Sequence, residues 1–152
     1  MDMKHPRAVR ALRILIPVTI LLIWGHSMVP ADLSSQESSF LTDLLNRFLS
    51  ACGSPILLST FFVRKAAHFT EYAVLGAENA ALRALDRRSR RIPLSCLLWV
   101  LVPVADECIQ HFTPGRAMMW QDVLLDMCGY AFGFLASHVV CHAVSHGDCS
   151  HG

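Results

Sequence analysis

Apolar and polar positions fall in long blocks along this chain, not in the short alternation that marks exposed strands. Leu12 to Val29 is almost uniformly apolar, broken by Arg13 near its start and His26 near its end. Eighteen helical residues rise about 27 Å, close to the thickness of a bilayer core, so the run predicts a first transmembrane span. A cleaved signal peptide shares the basic start, the apolar middle and a processing site of the Val29-Pro30-Ala31 kind. The length of the run and the membrane character of later segments favour the span.

From Ala31 to Pro55 the chain turns polar and then amphipathic. Ser34 with Glu37 three residues later fits a capping box that opens a helix. Phe40, Leu41, Leu44, Leu45, Phe48 and Leu49 then recur at helical spacing, opposite Asp43, Asn46 and Arg47. This predicts an external helix, on a surface loop or, as favoured, lying in the membrane interface. Gly53, Ser54 and Pro55 end it.

A second span is expected within Phe61 to Leu85, although that stretch carries Arg64, Lys65, His68, Glu71 and Glu78. Its length and the helix formers from Ala73 to Leu85 predict a helix. At about 100° per residue, Arg64, His68, Glu71, Tyr72, Leu75 and Asn79 share one face. The other face offers Ala66, Phe69, Ala73, Val74, Ala77 and Ala80. A polar side for partner helices and an apolar side for lipid follow.

Asp86 to Arg91 reads as a tight basic turn. Ile92 to Ala105 is apolar again, and its helix is expected to continue through Asp106, Glu107 and Gln110, starting at Pro93 and kinked at Pro103. Pro114-Gly115 signals a turn. A fourth span runs from about Met119 to Val144, with Asp122 and Asp126 near its beginning. Gly129 and Gly133 form a GxxxG spacing that admits another helix at close range. The expected fold is all-α: a polytopic membrane protein of four transmembrane helices, with an external amphipathic helix between the first and second. Residues 12–144 form the membrane domain, 1–11 a basic cytoplasmic N-terminus and 145–152 a cytoplasmic tail.

Composition agrees. Of 152 residues, 53% are hydrophobic and 16% charged, against roughly 25% charged in a soluble domain. A net charge of +1 and the lack of a nucleotide loop or nucleic-acid module argue against a nucleic-acid partner. Nine of the thirteen Lys and Arg residues sit in two blocks, Lys4 to Arg13 and Arg83 to Arg91, as cytoplasmic flanks of spans do. The six cysteines form no CxxC pair and no zinc-finger spacing, so no disulfide framework is expected. Cys141, His142, His146, Cys149 and His151 include metal-ligand types, but a frayed cytoplasmic end is the favoured reading.

With four spans, both basic blocks fall on the cytoplasmic side, and both termini with them. The second helix then brings Arg64, Lys65, His68 and Glu71 to the outer leaflet. The third brings Asp106, Glu107 and Gln110, and the fourth Asp122 and Asp126, just after Arg116. His26 is the first helix's contribution at that level, and the helix otherwise reads as an anchor. Charges at membrane depth cost about 2.5–3.5 kcal/mol each at the bilayer centre, so they persist only when paired, hydrated or functional.

Several of these residues carry a resemblance. Arg64-Lys65-Ala66-Ala67-His68-Phe69-Thr70-Glu71-Tyr72-Ala73-Val74-Leu75-Gly76 is followed by Asp106-Glu107-Cys108-Ile109-Gln110, Pro114-Gly115-Arg116, Asp122-Val123, Asp126, Gly129 and Gly133. In that order and spacing, over roughly residues 12 to 140, the chain resembles the VanZ-like membrane proteins. Ser27, Pro30 and Ser34 to Ser39 also resemble that family's stretch after its first helix. The resemblance implies a four-helix membrane protein linked to glycopeptide antibiotics, in particular low-level teicoplanin resistance.

Three functions fit the cluster. In the first, Arg64, Lys65, His68, Glu71, Tyr72, Asp106, Glu107, Gln110, Arg116, Asp122 and Asp126 bind a polar headgroup at the outer leaflet. The ligand is a lipid-linked cell-wall precursor or the glycopeptide itself; the cations meet phosphate or carboxylate, and His68 and the acids orient them. In the second, an enzyme acts on a lipid-linked phosphate, with His68, Glu71, Asp106 and Glu107 as candidate acid/base groups or divalent-metal ligands. No recognised nucleophile arrangement or metal motif is present, so no metal and no cofactor is expected. In the third, Arg64, Lys65 and Arg116 pair with the acids and the cluster only locks the helices together. The expected location is the cell membrane, multi-pass.

Overall fold

The computed structural model describes residues 6–86 and 92–147. The basic residues Arg87, Arg88, Arg90 and Arg91, and Cys149 and His151 of the tail, lie outside them, as do the side chains of His142 and His146. The described residues form five α-helices and no strand: α1 Pro6–Ser27, α2 Ala31–Ala51, α3 Thr60–Leu85, α4 Ile92–Phe112 and α5 Trp120–Gly147.

Four of the helices close a ring in which α1 packs on α3, α3 on α5, α5 on α4 and α4 back on α1, while α2 lies outside against α3. The α3–α5 seam is the tightest. A Cβ on Gly129 would lie 2.5 Å from the Phe69 carbonyl oxygen, and one on Gly133 or Gly76 would run into the backbone of Ala73 or Tyr130. Rising numbers on α3 meet rising numbers on α5, so the two helices run parallel. Small residues let their backbones touch, which is how helices gain packing where lipid removes the hydrophobic drive to associate. The GxxxG spacing thus does what it predicts. Phe69 and Ala73, assigned to the lipid side of α3, face α5 instead; Ala66 and Val74 are the exposed ones.

Caps explain where the helices begin. Ser59 caps α3 by accepting the Phe62 N–H at 3.2 Å. The Ser34–Glu37 capping box does not form: α2 starts four residues earlier than that box implies, after Pro30, and Ser34 is buried inside it. The physical reason lies across the bundle. The Pro114 carbonyl takes the Ala31 N–H at 3.1 Å, satisfying an orphan donor of the first turn. Gly115, at φ +75°, packs its backbone beside Ala31. The Pro-Gly turn therefore positions the start of α2 as well as that of α5. At the other end, Asn46 holds the Leu58 backbone by two hydrogen bonds of 3.0 and 2.8 Å, tying α2 to the approach to α3.

Two helices are long and apolar enough to cross a membrane: α1 over Pro6–Ser27 and α5 over Trp120–Cys141. Both leave much of that apolar surface outside the bundle, with Leu21 and Leu22 of α1 and Val139 and Val140 of α5 all more than 60% exposed. Yet α1 is also built into the fold. Its stripe Val9, Ile16, Ile23 and Ser27 is buried, Arg13 pairs with Asp86 at 2.5 Å, and Thr19 donates to Glu78 at 2.9 Å.

Candidate functional site

One end of the bundle gathers ionisable residues from the early part of α3, the late part of α4 and the early part of α5, and the last residues of α1 join them. From α3, Lys65 pairs with Asp122 of α5. Arg64, one residue earlier, turns toward α2 and donates to the Ser35 hydroxyl at 2.9 Å, with its Nε buried and unpartnered. His68 and Tyr72, one turn apart, point inward; Tyr72 is completely buried and its hydroxyl has no partner. Glu71 faces α1 and takes His26 at 3.2 Å, the second ion pair of this end if that imidazole is protonated.

From α4, Asp106, Glu107 and Gln110 are all buried. Gln110 donates to Asp106 Oδ2 at 3.1 Å and to the Ser27 hydroxyl at 3.3 Å. Glu107 accepts the Met119 backbone N–H at 2.9 Å, fixing the entry into α5. Asp126 of α5, 1% exposed, has no hydrogen-bond partner on either oxygen; Asp106 Oδ1 and Glu107 Oε1 are likewise bare. Arg116, in the α4–α5 turn, reaches the His26 carbonyl at 3.4 Å. Burial, and the Arg64 charge next to it, pull its guanidinium below the usual arginine range.

All eleven sequence-predicted residues therefore stand at this end, but their pairing is not the one a locking network requires. Among the described residues, Lys65–Asp122 is the one Lys or Arg ion pair formed here, and Arg64 and Arg116 contact no acid within ion-pair distance. Three acids stay buried without a cation. Such burial costs several kcal/mol for a charge left uncompensated, so each of these acids needs a proton, a water or a cation other than Lys or Arg.

Three contributors lie outside the eleven residues that the sequence assigned to the site. Ser27 sits at the hinge of Gln110 and Thr113, whose hydroxyl donates to the Ser27 carbonyl at 3.0 Å. Ser35 receives Arg64. His26 is more than a residue at the right depth: its ring stacks on His68, with centroids 5.9 Å apart and planes 8° from parallel. Ser27 was findable in principle, four residues beyond Ile23 on the stripe Val9, Ile16, Ile23, but an evenly apolar helix hides its own inward face.

Two features show what the arrangement can hold. His68, Asp106 and Asp126, one from each of three helices, present ligand atoms within 4.8 Å of one another. No sequence motif marks them because they lie 38 and 20 residues apart along the chain. Beside the cluster, a groove of about 610 Å³ runs between α1, α2 and α3. Its walls are mainly apolar, among them Leu22, Ile23, Leu41, Leu45, Phe62 and Val63, and Glu71 opens onto it.

No curated protein and no solved structure is significantly similar to this chain. The VanZ/LLP1 family profile matches residues 12–141, which takes in the bundle from α1 into α5 and every residue of the cluster. Two helices fit to cross a membrane and the span of that match both point to a membrane protein. The chain belongs to the VanZ/LLP1 family.

Proposed function

We propose that the protein is a four-span membrane protein of the cell envelope that holds the anionic headgroup of a lipid-linked molecule at the outer leaflet. The observation that carries this is the pair Arg64 and Arg116. Neither forms an ion pair with a carboxylate: Arg64 donates to the Ser35 hydroxyl and Arg116 to the His26 carbonyl. Two guanidiniums at this end of the bundle without an ion-paired acid make a receptor for phosphate or carboxylate, which a planar fork grips through two parallel hydrogen bonds.

Three further features support the reading. At 26 and 21 residues, α3 and α4 have the length of a span, about 39 and 31 Å, and Glu78, Asp106 and Glu107 on them are buried. The apolar groove meets the cluster at Glu71, as a site for a headgroup with its hydrocarbon chain requires. Leu33, Phe40, Leu44 and Phe48 of α2 are exposed, which suits a helix lying in the interface. With both basic blocks cytoplasmic, the cluster faces outward and both termini face inward. The role in glycopeptide resistance then follows from what the site grips: a lipid-linked wall precursor, or the acylated drug itself.

Binding to the full-length protein in nanodiscs tests this. A polyprenyl diphosphate should bind, and the uncharged polyprenol should not. Arg116→Ala and Arg64→Ala should each weaken binding at least about tenfold, since a charge-assisted hydrogen bond contributes about 1.5–3 kcal/mol. Equal binding of both lipids would sink the proposal. A second reading, hydrolysis or transfer at the lipid-linked phosphate, is favoured by one observation, the bare oxygens of Asp106, Glu107 and Asp126 beside His68. Release of inorganic phosphate from the same lipid would decide for it.

A further inference from the structure

The buried acids of the cluster have no ion-pair partner among the described residues, and several of their oxygens meet no hydrogen-bond donor. Asp126 is the clearest case. Neither of its oxygens has a hydrogen-bond partner, although both are buried. Asp106 keeps one oxygen on Gln110 and leaves Oδ1 bare. None of the region's Lys or Arg residues forms an ion pair with these acids: Lys65 pairs with Asp122, Arg64 donates to Ser35 and Arg116 to the His26 carbonyl.

We propose that His68, Asp106 and Asp126 form a divalent-metal site of the class that takes Mn²⁺ or Zn²⁺. One imidazole and two carboxylates, drawn from α3, α4 and α5, present one ligand atom each within 4.8 Å of one another. Two donors bonded to one ion at about 2.1 Å stand at most about 4.2 Å apart, so side-chain movements of less than an ångström close the set. A mixed nitrogen and oxygen set suits Mn²⁺ and Zn²⁺ better than Ca²⁺ or Mg²⁺, which favour all-oxygen shells. Three protein ligands leave at least one position open.

An independent side chain points the same way. The Tyr72 hydroxyl is completely buried and unpartnered. Tyr72 lies one turn beyond His68 on the same buried face of α3. A phenol there can donate to a metal-bound carboxylate or to a molecule on the open position, the kind of outer contact that orients metal ligands. The stacking of His26 on His68 fixes the ring without occupying its nitrogens. The site stands apart from the headgroup proposal, because none of its ligands is an arginine.

The test uses full-length protein purified on a tag that binds no metal, stripped with chelator and reloaded with Mn²⁺, an ion that thiolates bind poorly and that the Cys/His tail therefore does not compete for. Elemental analysis of the loaded protein should find a single Mn²⁺ per chain, and saturating Mn²⁺ should raise the unfolding midpoint. Asp126→Asn and His68→Ala should each weaken Mn²⁺ binding at least about tenfold, whereas Asp122→Asn and Arg116→Ala should retain the ion. If a variant does not fold, the stoichiometry of the wild-type protein still decides. Wild-type protein that retains no Mn²⁺ or Zn²⁺ after loading overturns the proposal and leaves protons or water to meet the acids. Full Mn²⁺ occupancy in Asp126→Asn overturns it equally. Loss of phosphate-lipid binding in Arg116→Ala with the ion still bound would separate this site from the headgroup reading.

Discussion

The imidazole of His26, one residue from the end of α1, lies flat on that of His68 in α3, and its Nδ1 stands 3.2 Å from Glu71. A single side chain thus ties the first helix to the ring face that carries the cluster. The consequence is that α1 is a wall of the site and not merely an anchor.

Replacing His26 with alanine removes both contacts at once. Its loss should cost about 1 kcal/mol of stability, the net value of one hydrogen bond, read as a lower unfolding midpoint in detergent. It should also weaken polyprenyl diphosphate binding, because Glu71 and His68 lose their support. Unchanged stability and binding would return α1 to the role of an anchor.

The α3–α5 seam makes a sharper stability prediction. Gly133→Ala and Gly76→Ala place a methyl group against backbone atoms of the facing helix. Overpacking of this kind costs about 1–3 kcal/mol. Gly25→Ala is the control, since nothing stands within 4 Å of a Cβ there, and alanine in a helix gains about 0.5–1 kcal/mol over glycine. Thermal unfolding of the three variants in one detergent should split them in opposite directions.

Asn46 closes the loop between α2 and α3 through its two bonds to Leu58. Asn46→Ala leaves a backbone donor and acceptor without partners, worth about 1–3 kcal/mol if they stay buried. The effect should be local: faster hydrogen exchange and proteolysis around residues 52–58, with the α3–α5 seam unchanged. A uniform loss of protection across the bundle would contradict it.

The proposed orientation is open to chemical labelling. Cys52 follows α2 and is exposed, whereas Cys141 lies near the far end of α5. In variants retaining one cysteine each, a membrane-impermeant maleimide should modify Cys52 on intact cells and Cys141 only after lysis. The reverse result would invert the topology and place the cluster inside.

The sequence by itself determined which segments are helices and roughly where the charges lie along them. Apolar runs of spanning length, the helical spacing from Phe40 to Leu49 and the Pro114-Gly115 turn are local signals, and local hydrogen bonding and burial decide them. The glycines of α5 even announced a close helix contact. What they could not name was the partner: close approach needs a facing backbone, and α3 supplies it along Phe69, Ala73 and Gly76. The same limit misled the capping box at Ser34, because the group that satisfies the start of α2 is the Pro114 carbonyl, some eighty residues away. Pairing was likewise decided by tertiary structure alone. Opposite charges at one level left a closed network open as one reading beside a binding site, and reach and direction gave Lys65 to Asp122, turned Arg64 toward Ser35 and left Asp106, Glu107 and Asp126 buried together. Charge is written in the sequence, whereas the distance between two charges from different helices is set only when those helices pack.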